Sequence, residues 1–210
     1  MIHPLEQIYT EVRGCQRCRL AEGRTHAVPG VGPCPAGIML IGEAPGFHED
    51  QQGEPFVGPA GRLLDTLLIR TGLSRDQVYI TNVVKCRPPG NRDPQADEVS
   101  ACSGFLELQL EQVKPKVIVL LGRHAMERLL PGAGSISRIH GTVVQVRGQT
   151  YIPVYHPAAA LHNSGLIKSL EGDFEKVGQH LARMRGPDAQ PPALAPPQTS
   201  SGQAEQMVLL

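Results

Sequence analysis

Ile38-Met-Leu-Ile-Gly-Glu-Ala-Pro-Gly46 is an apolar run that stops at a glycine and empties into a polar turn. Four large apolar residues in succession, with no polar alternation, suit a strand covered on both faces, as in a parallel sheet. Three more runs have the same character: Val78–Val84, Val117–Leu121 and Tyr151–Tyr155, each short, rich in Val and Ile, and bounded by Gly or Pro. Helical spacing separates the first three. Gly61–Thr71 sets Leu63, Leu64, Leu67 and Leu68 on one face, and Ala96–Val113 does the same with Val99, Cys102, Leu106 and Leu110. Further helices are expected over Arg123–Leu130 and from Gly165 to Met184, and a hairpin arm turning at Gly148 precedes the fourth run. Strands alternating with helices predict one α/β domain over residues 1–185. Its form is a three-layer α/β/α sandwich on a mostly parallel four-stranded sheet.

In such sheets ligands bind beyond the carboxyl ends of the strands. There the sequence places Gly42-Glu-Ala-Pro-Gly46, then Thr81-Asn82 with Lys85-Cys86-Arg-Pro-Pro, then Gly122-Arg123, and finally His156-Pro157. Polar, titratable and glycine-rich segments converge on one edge, and an active site is expected at that edge.

The chain has 210 residues, with 20 Lys and Arg against 20 Asp and Glu, so net charge by itself favours neither a nucleic-acid nor a membrane partner. No stretch approaches the ~18 apolar residues of a membrane span, and the start, Met1 to Cys15, lacks the basic end and apolar centre of a signal peptide. A cytoplasmic monomer is therefore expected, whose five cysteines favour metal ligation over disulfides. Locally the charge is uneven. Six Lys and Arg lie between Lys114 and Arg147 against Glu127 alone, whereas Glu43–Glu54 carries four acids and no Lys or Arg. Residues 186–210 are rich in Pro, Ala and Gln, and such a tail is expected to be disordered.

Cys15 and Cys18 form a CxxC, Cys86 follows the second strand and Cys102 lies on the next helix. These are four thiolates from three segments, and both zinc and a [4Fe–4S] cluster satisfy that ligand count. Cys34 stands outside the pattern and is expected to be free. Ligation would fix the loop Lys85–Arg92, whose Lys85, Arg87 and Arg92 make it a candidate phosphate contact.

Together the CxxC, Gly42-Glu-Ala-Pro-Gly46, Pro55-Phe-Val-Gly58, Thr81-Asn-Val-Val-Lys-Cys-Arg-Pro-Pro89, Cys102 and His156-Pro157 resemble the family 4 uracil-DNA glycosylases, from about Leu5 to Leu181. The resemblance implies a [4Fe–4S] cluster on Cys15, Cys18, Cys86 and Cys102. It also implies a pocket lined by Glu43, Ala44 and Pro45, in which Phe56 stacks on an extruded uracil, Asn82 reads its edge and His156 contacts its O2. The loop after His156 would enter the minor groove, with Leu161 as the wedge, and uracil-containing DNA would be the substrate.

The chemistry of these residue types agrees with that picture. Uracil presents an N3–H donor beside an O4 acceptor, which a carboxamide matches. Cytosine reverses that edge and would leave buried groups unpaired at ~1–3 kcal/mol each. The leaving group carries negative charge on O2, where a fixed donor such as His156 lowers the barrier. Ala44 stands where the best-known uracil glycosylases hold a water-activating Asp. Glu43 is the nearby carboxylate, and both a catalytic and a structural role are open to it. Gly46 stands where those enzymes exclude thymine with Tyr, leaving Glu49 as the nearest candidate. Arg138-Ile139-His140 echoes a covalently reacting branch but lies beyond the fourth cysteine, so His140 is read as a surface or phosphate-contacting residue. The chain ends in Gln206-Met-Val-Leu-Leu210, which resembles the short peptide by which bacterial repair and replication proteins dock on the sliding clamp. The rival readings are a non-catalytic iron–sulfur module that binds nucleic acid and a hydrolase of free nucleotides. The second lacks a phosphate-cradling glycine loop.

Overall fold

The computed structural model describes residues 4–185, so the expected tail and its Gln206–Leu210 end lie outside the described residues. The elements run in the order α1 (Pro4–Arg13), α2 (Leu20–Gly23), β1 (Ile38–Gly42), α3 (Phe47–Gln52), α4 (Pro59–Arg70), β2 (Tyr79–Asn82), α5 (Ala96–Val113), β3 (Val117–Leu121), α6 (Arg123–Leu129), α7 (Ile136–Ile139), β4 (Val144–Val146), β5 (Gln149–Val154), α8 (Pro157–His162) and α9 (Gly165–Arg185).

The sheet has five strands in the order β2-β1-β3-β5-β4, not the expected four. The first four are parallel, with Ile41 beside Thr81 and Gly42 beside Asn82. The fifth is the hairpin arm. Arg147 and Gly148 turn with positive φ, so Val144–Val146 folds back antiparallel on Gln149–Tyr151 and closes one margin of the sheet. At the other margin Val31 pairs with Ile80, each N–H bonded to the other's carbonyl at 2.9 and 2.8 Å, and Val28 N–H bonds to the Lys85 carbonyl at 2.7 Å.

Period-two alternation sends successive strand residues to opposite layers. Met39, Ile41, Tyr79, Ile118 and Leu120 face α1 and α5, where Leu5, Ile8, Tyr9, Val12 and Phe105 pack against them. Ile38, Leu40, Ile80, Val119 and Val154 face the other way, onto Leu64, Leu67, Leu68, Leu170, Phe174 and Val177 of α4 and α9. Helix α1 was not anticipated, although Leu5, Ile8, Tyr9 and Val12 have the spacing of one buried helical face.

Candidate active site and cysteine centre

Because β1, β2 and β5 run in one direction, the segments at their carboxyl ends meet around a cavity of about 360 Å³. Glu43, Ala44, Pro45, Phe56, Asn82 and His156, expected from separate segments of the sequence, all line it.

Asn82 ends β2 on the same side of the sheet as Ile80 and is 1% exposed. Its carboxamide oxygen, Oδ1, is buried without a hydrogen-bond partner. An acceptor left in that state costs ~1–3 kcal/mol unless something in the cavity donates to it. The room comes from Gly42. A Cβ there would collide with Asn82 Oδ1 and come within 2.7 Å of the Phe56 ring.

Phe56 is buried and holds a left-handed backbone, φ 53°. That strain is maintained by Glu49, whose Oε1 accepts from Val57 N–H and Gly58 N–H at 3.0 and 2.9 Å, while Oε2 accepts from Gly46 N–H at 3.1 Å. Glu49 therefore braces the wall between Gly46 and Gly58, with its lone pairs already engaged by backbone.

His156 stacks beside Phe56, with ring centroids 5.7 Å apart and an interplanar angle of 30°. Its Nδ1 accepts from Ala158 N–H at 3.1 Å, so the neutral ring carries its proton on Nε2. Burial, opposed by the Glu49 charge and helped by His124, pushes its pKa down to about 4, and the ring is neutral near pH 7.

Glu43 follows β1, and its carbonyl accepts from Val84 N–H at 3.0 Å, zipping the β1 turn to the β2 turn. Burial raises its carboxyl pKa. His124 and Arg123 act the other way, and Asp93 adds to the rise. His124 Nε2 lies 3.7 Å from Glu43 Oε2 and 3.1 Å from Asp93 Oδ2. Asp93 and His124 went unread in the sequence. His124 lies one residue beyond Gly122-Arg123 at the same sheet edge, and that position was the available signal.

Lys85 is a correction. The residue read as a phosphate contact is 1% exposed, and its Nζ donates to Thr81 Oγ1 at 2.8 Å, the Asn82 carbonyl at 2.6 Å and Gln109 Oε1 at 2.7 Å. Three protons meet three acceptors, which is the geometry of an ammonium. Burial lowers its pKa to about 8, against the pull of Cys102 and Cys86. Of the other basic residues, Arg92 reaches the cavity but is held bidentate by buried Glu98 at 2.8 and 2.6 Å. Arg87 lies over the ring of Phe47, and Leu161 on α8 is 48% exposed. His140, expected at the surface, is half-buried, and its Nδ1 pairs with Asp173 Oδ1 at 2.8 Å.

Cys15, Cys18, Cys86 and Cys102 line a second, smaller cavity closed by Val12 and Phe105. Cys34 lies apart from it, its thiol donating to the Gln112 carbonyl at 3.3 Å. N–H groups point at three of the four sulfurs: Arg24 Nη1 at Cys86 (3.0 Å), Lys85 N at Cys102 (3.3 Å) and Arg17 N at Cys15 (3.5 Å). Zinc bonded at ~2.3 Å would bring its thiolates to about 3.8 Å from one another. Among the described residues, the only three His, Cys, Asp or Glu ligand atoms lying within 4.8 Å of one another are those of Glu43, Asp93 and His124. Four cysteines around one cavity satisfy the ligand count of zinc and of an iron–sulfur cluster alike.

Residues 29–181 match the family model of the uracil DNA glycosylase superfamily. The chain is 49% identical over 185 residues to the type-4 uracil-DNA glycosylase of Sulfurisphaera tokodaii, an alignment covering 82% of this chain and 83% of that protein. It is 46% identical to the type-4 uracil-DNA glycosylase of Archaeoglobus fulgidus, over 83% of this chain and 92% of that one. With the corresponding enzyme of Thermotoga maritima the identity is 43%, over 85% and 95%. On the matched sequence, and on a cavity that gathers its motifs at one sheet edge, the chain belongs to the uracil-DNA glycosylase superfamily, in its type-4 branch.

Proposed function

We propose that this chain excises uracil from DNA by hydrolysing its N-glycosidic bond, leaving an abasic site. The observation that carries the reading is the unpartnered Oδ1 of Asn82, buried in a cavity walled by Phe56 and His156. A base cannot be reached inside a duplex, so it must be extruded into such a pocket and read there by stacking and hydrogen bonds. Asn82 Oδ1 accepts from uracil N3–H, and the amide nitrogen donates to O4. The neutral His156 ring, with its proton on Nε2, donates to O2 as negative charge gathers there, and its low pKa keeps it a hydrogen-bond donor rather than a proton source. Glu43, half-buried in the same cavity with its pKa raised, holds the attacking water where Ala44 has no polar atom to do so.

Cys15, Cys18, Cys86 and Cys102 hold a [4Fe–4S] cluster, a reading supported by four cysteines around one cavity, the N–H groups aimed at the sulfurs and the likeness to the type-4 enzymes. When bound, the cluster supplies a cross-link between the N-terminal segment and the middle of the chain. DNA is gripped at the cavity mouth by Arg87 and Leu161, and the catalytic unit is residues 1–185. None of the described helices is long and apolar enough to cross a membrane.

The test is incubation with a uracil-containing oligonucleotide followed by alkaline cleavage. Asn82→Ala, losing two hydrogen bonds at ~1–1.5 kcal/mol each, is expected to slow excision on the order of a hundredfold. Asn82→Asp is expected to shift preference toward cytosine. Excision at the unchanged rate by Asn82→Ala would remove Asn82 from the reaction.

A further inference from the structure

Phe47 opens α3 directly after Gly46, a wall of the cavity, yet its ring is turned outward and is 52% exposed. It is the one aromatic among the exposed large hydrophobic residues described. Water-facing aromatic area is unfavourable, and here the ring is held in place rather than left loose. The guanidinium carbon of Arg87 lies 5.1 Å from its centroid, and the His48 ring meets it edge-on at 5.5 Å and 81°. Arg87 is fixed in turn, its Nε donating to Asn91 Oδ1 at 2.7 Å. Asn91 and Pro88, on either side of that contact, line the cavity. Phe47, Arg87 and Asn91 thus form one continuous rim beside the pocket.

We propose that Phe47 is a stacking platform for a nucleobase next to the one that enters the cavity. The inference rests on the reading of the cavity as a base pocket. Extruding one base leaves its neighbour with an unstacked face, and an aromatic ring at the pocket's edge replaces the lost partner. One face of Phe47 carries the Arg87 cation and the opposite face receives the base, while Arg87 balances the charge of the adjoining phosphate. Such stacking tolerates any sequence, because every base has a π-face. The rim fits single-stranded or locally opened DNA, in which a base beside the pocket is free to leave its own stack.

The chain contains no tryptophan, so Phe47→Trp places a single indole, excited apart from the four tyrosines, on this rim. Titrating the full chain carrying Phe47→Trp with a uracil-free oligodeoxythymidylate is expected to quench its emission. Phe47→Ala is expected to bind the same oligonucleotide roughly tenfold more weakly, and Phe47→Tyr to restore binding to within about twofold, since it keeps the ring. Emission that ignores DNA overturns the proposal, as does wild-type binding by Phe47→Ala. Emission that follows protein concentration instead makes the rim a contact between copies of the chain and overturns it as well. The probe lacks uracil, so its outcome is independent of whether Asn82→Ala abolishes excision.

Discussion

The two faces of the central sheet are packed by different chemistry. Behind Leu40, Ile80 and Val119, hydrocarbon meets hydrocarbon, with Leu64, Leu67, Leu68, Leu170 and Phe174 filling the layer. Behind Ile41, Tyr79 and Ile118 the layer also contains all five cysteines and a buried polar chain. There Tyr9 Oη bonds to Tyr79 Oη at 3.0 Å, Gln109 Nε2 to the same Tyr79 Oη at 3.0 Å, and Lys85 Nζ to Gln109, Thr81 and the Asn82 carbonyl. The first face tolerates error locally, because apolar packing degrades by the volume removed. The second has specific partners, and losing one strands the others. Asn82 belongs to both, with its side chain on the apolar side and its carbonyl held from the polar side by Lys85. The proposed reading of the base by Asn82 therefore depends on the more demanding of the two layers.

This contrast can be broken by substitution. The largest effect is expected at Cys102→Ala, which removes a ligand of the proposed cluster. That variant should lack the brown colour such a cluster gives and fail to yield a cooperatively melting fold. A colourless wild-type protein carrying one zinc would refute the cluster while leaving the glycosylase intact. Next comes Lys85→Met, which takes the shared ammonium donor from three buried oxygens and is expected to cost about 3–5 kcal/mol in chemical denaturation. Adding Gln109→Leu should deepen that loss, because the Gln109 amide nitrogen also donates to the Pro29 carbonyl at 2.7 Å and to Tyr79 Oη at 3.0 Å. On the hydrocarbon face Leu67→Ala is expected to cost about 2–4 kcal/mol with the visible absorbance per molecule unchanged. Loss of colour in that variant would show that the two faces are not independent.

The smallest effect concerns pH. Unfolded His156 takes up a proton near pH 6.5, whereas in the fold it resists protonation down to about pH 4. Between those values the unfolded chain binds more protons, so the stability linked to this residue is present above pH 6.5 and drains away as pH falls toward 4. His156→Gln is expected to flatten that part of the melting-temperature profile, and excision by the wild type should show no inflection from His156 between about pH 6 and 8.

Much of this arrangement was legible in advance for two physical reasons. Buried parallel strands announce themselves as unbroken apolar runs, and their carboxyl ends must lie together, so Glu43, Asn82 and His156 could be assigned to one edge without any tertiary information. Lys85 could not be placed that way. A lysine after a strand ordinarily reaches solvent, and its burial depends on Gln109, an acceptor twenty-four positions away that no local pattern reveals. The grouping of Glu43, Asp93 and His124 needs three separate turns to meet, which spacing along the chain does not encode. The fifth strand was visible as a hairpin arm, but its pairing into the sheet depends on the tight turn at Arg147-Gly148.

The pairing of Val31 with Ile80 reaches beyond architecture. Strand β2 lies at the margin of the sheet, and a bare margin is a template on which other chains can add. Here that margin is occupied by the segment around Val28–Val31, which joins the strand to the stretch bearing Cys15 and Cys18. Whatever anchors those two cysteines also keeps the cover on the edge. If the proposed cluster is that anchor, a preparation stripped of it is expected to precipitate as well as lose activity, and the yield of dispersed protein during expression should follow the supply of iron.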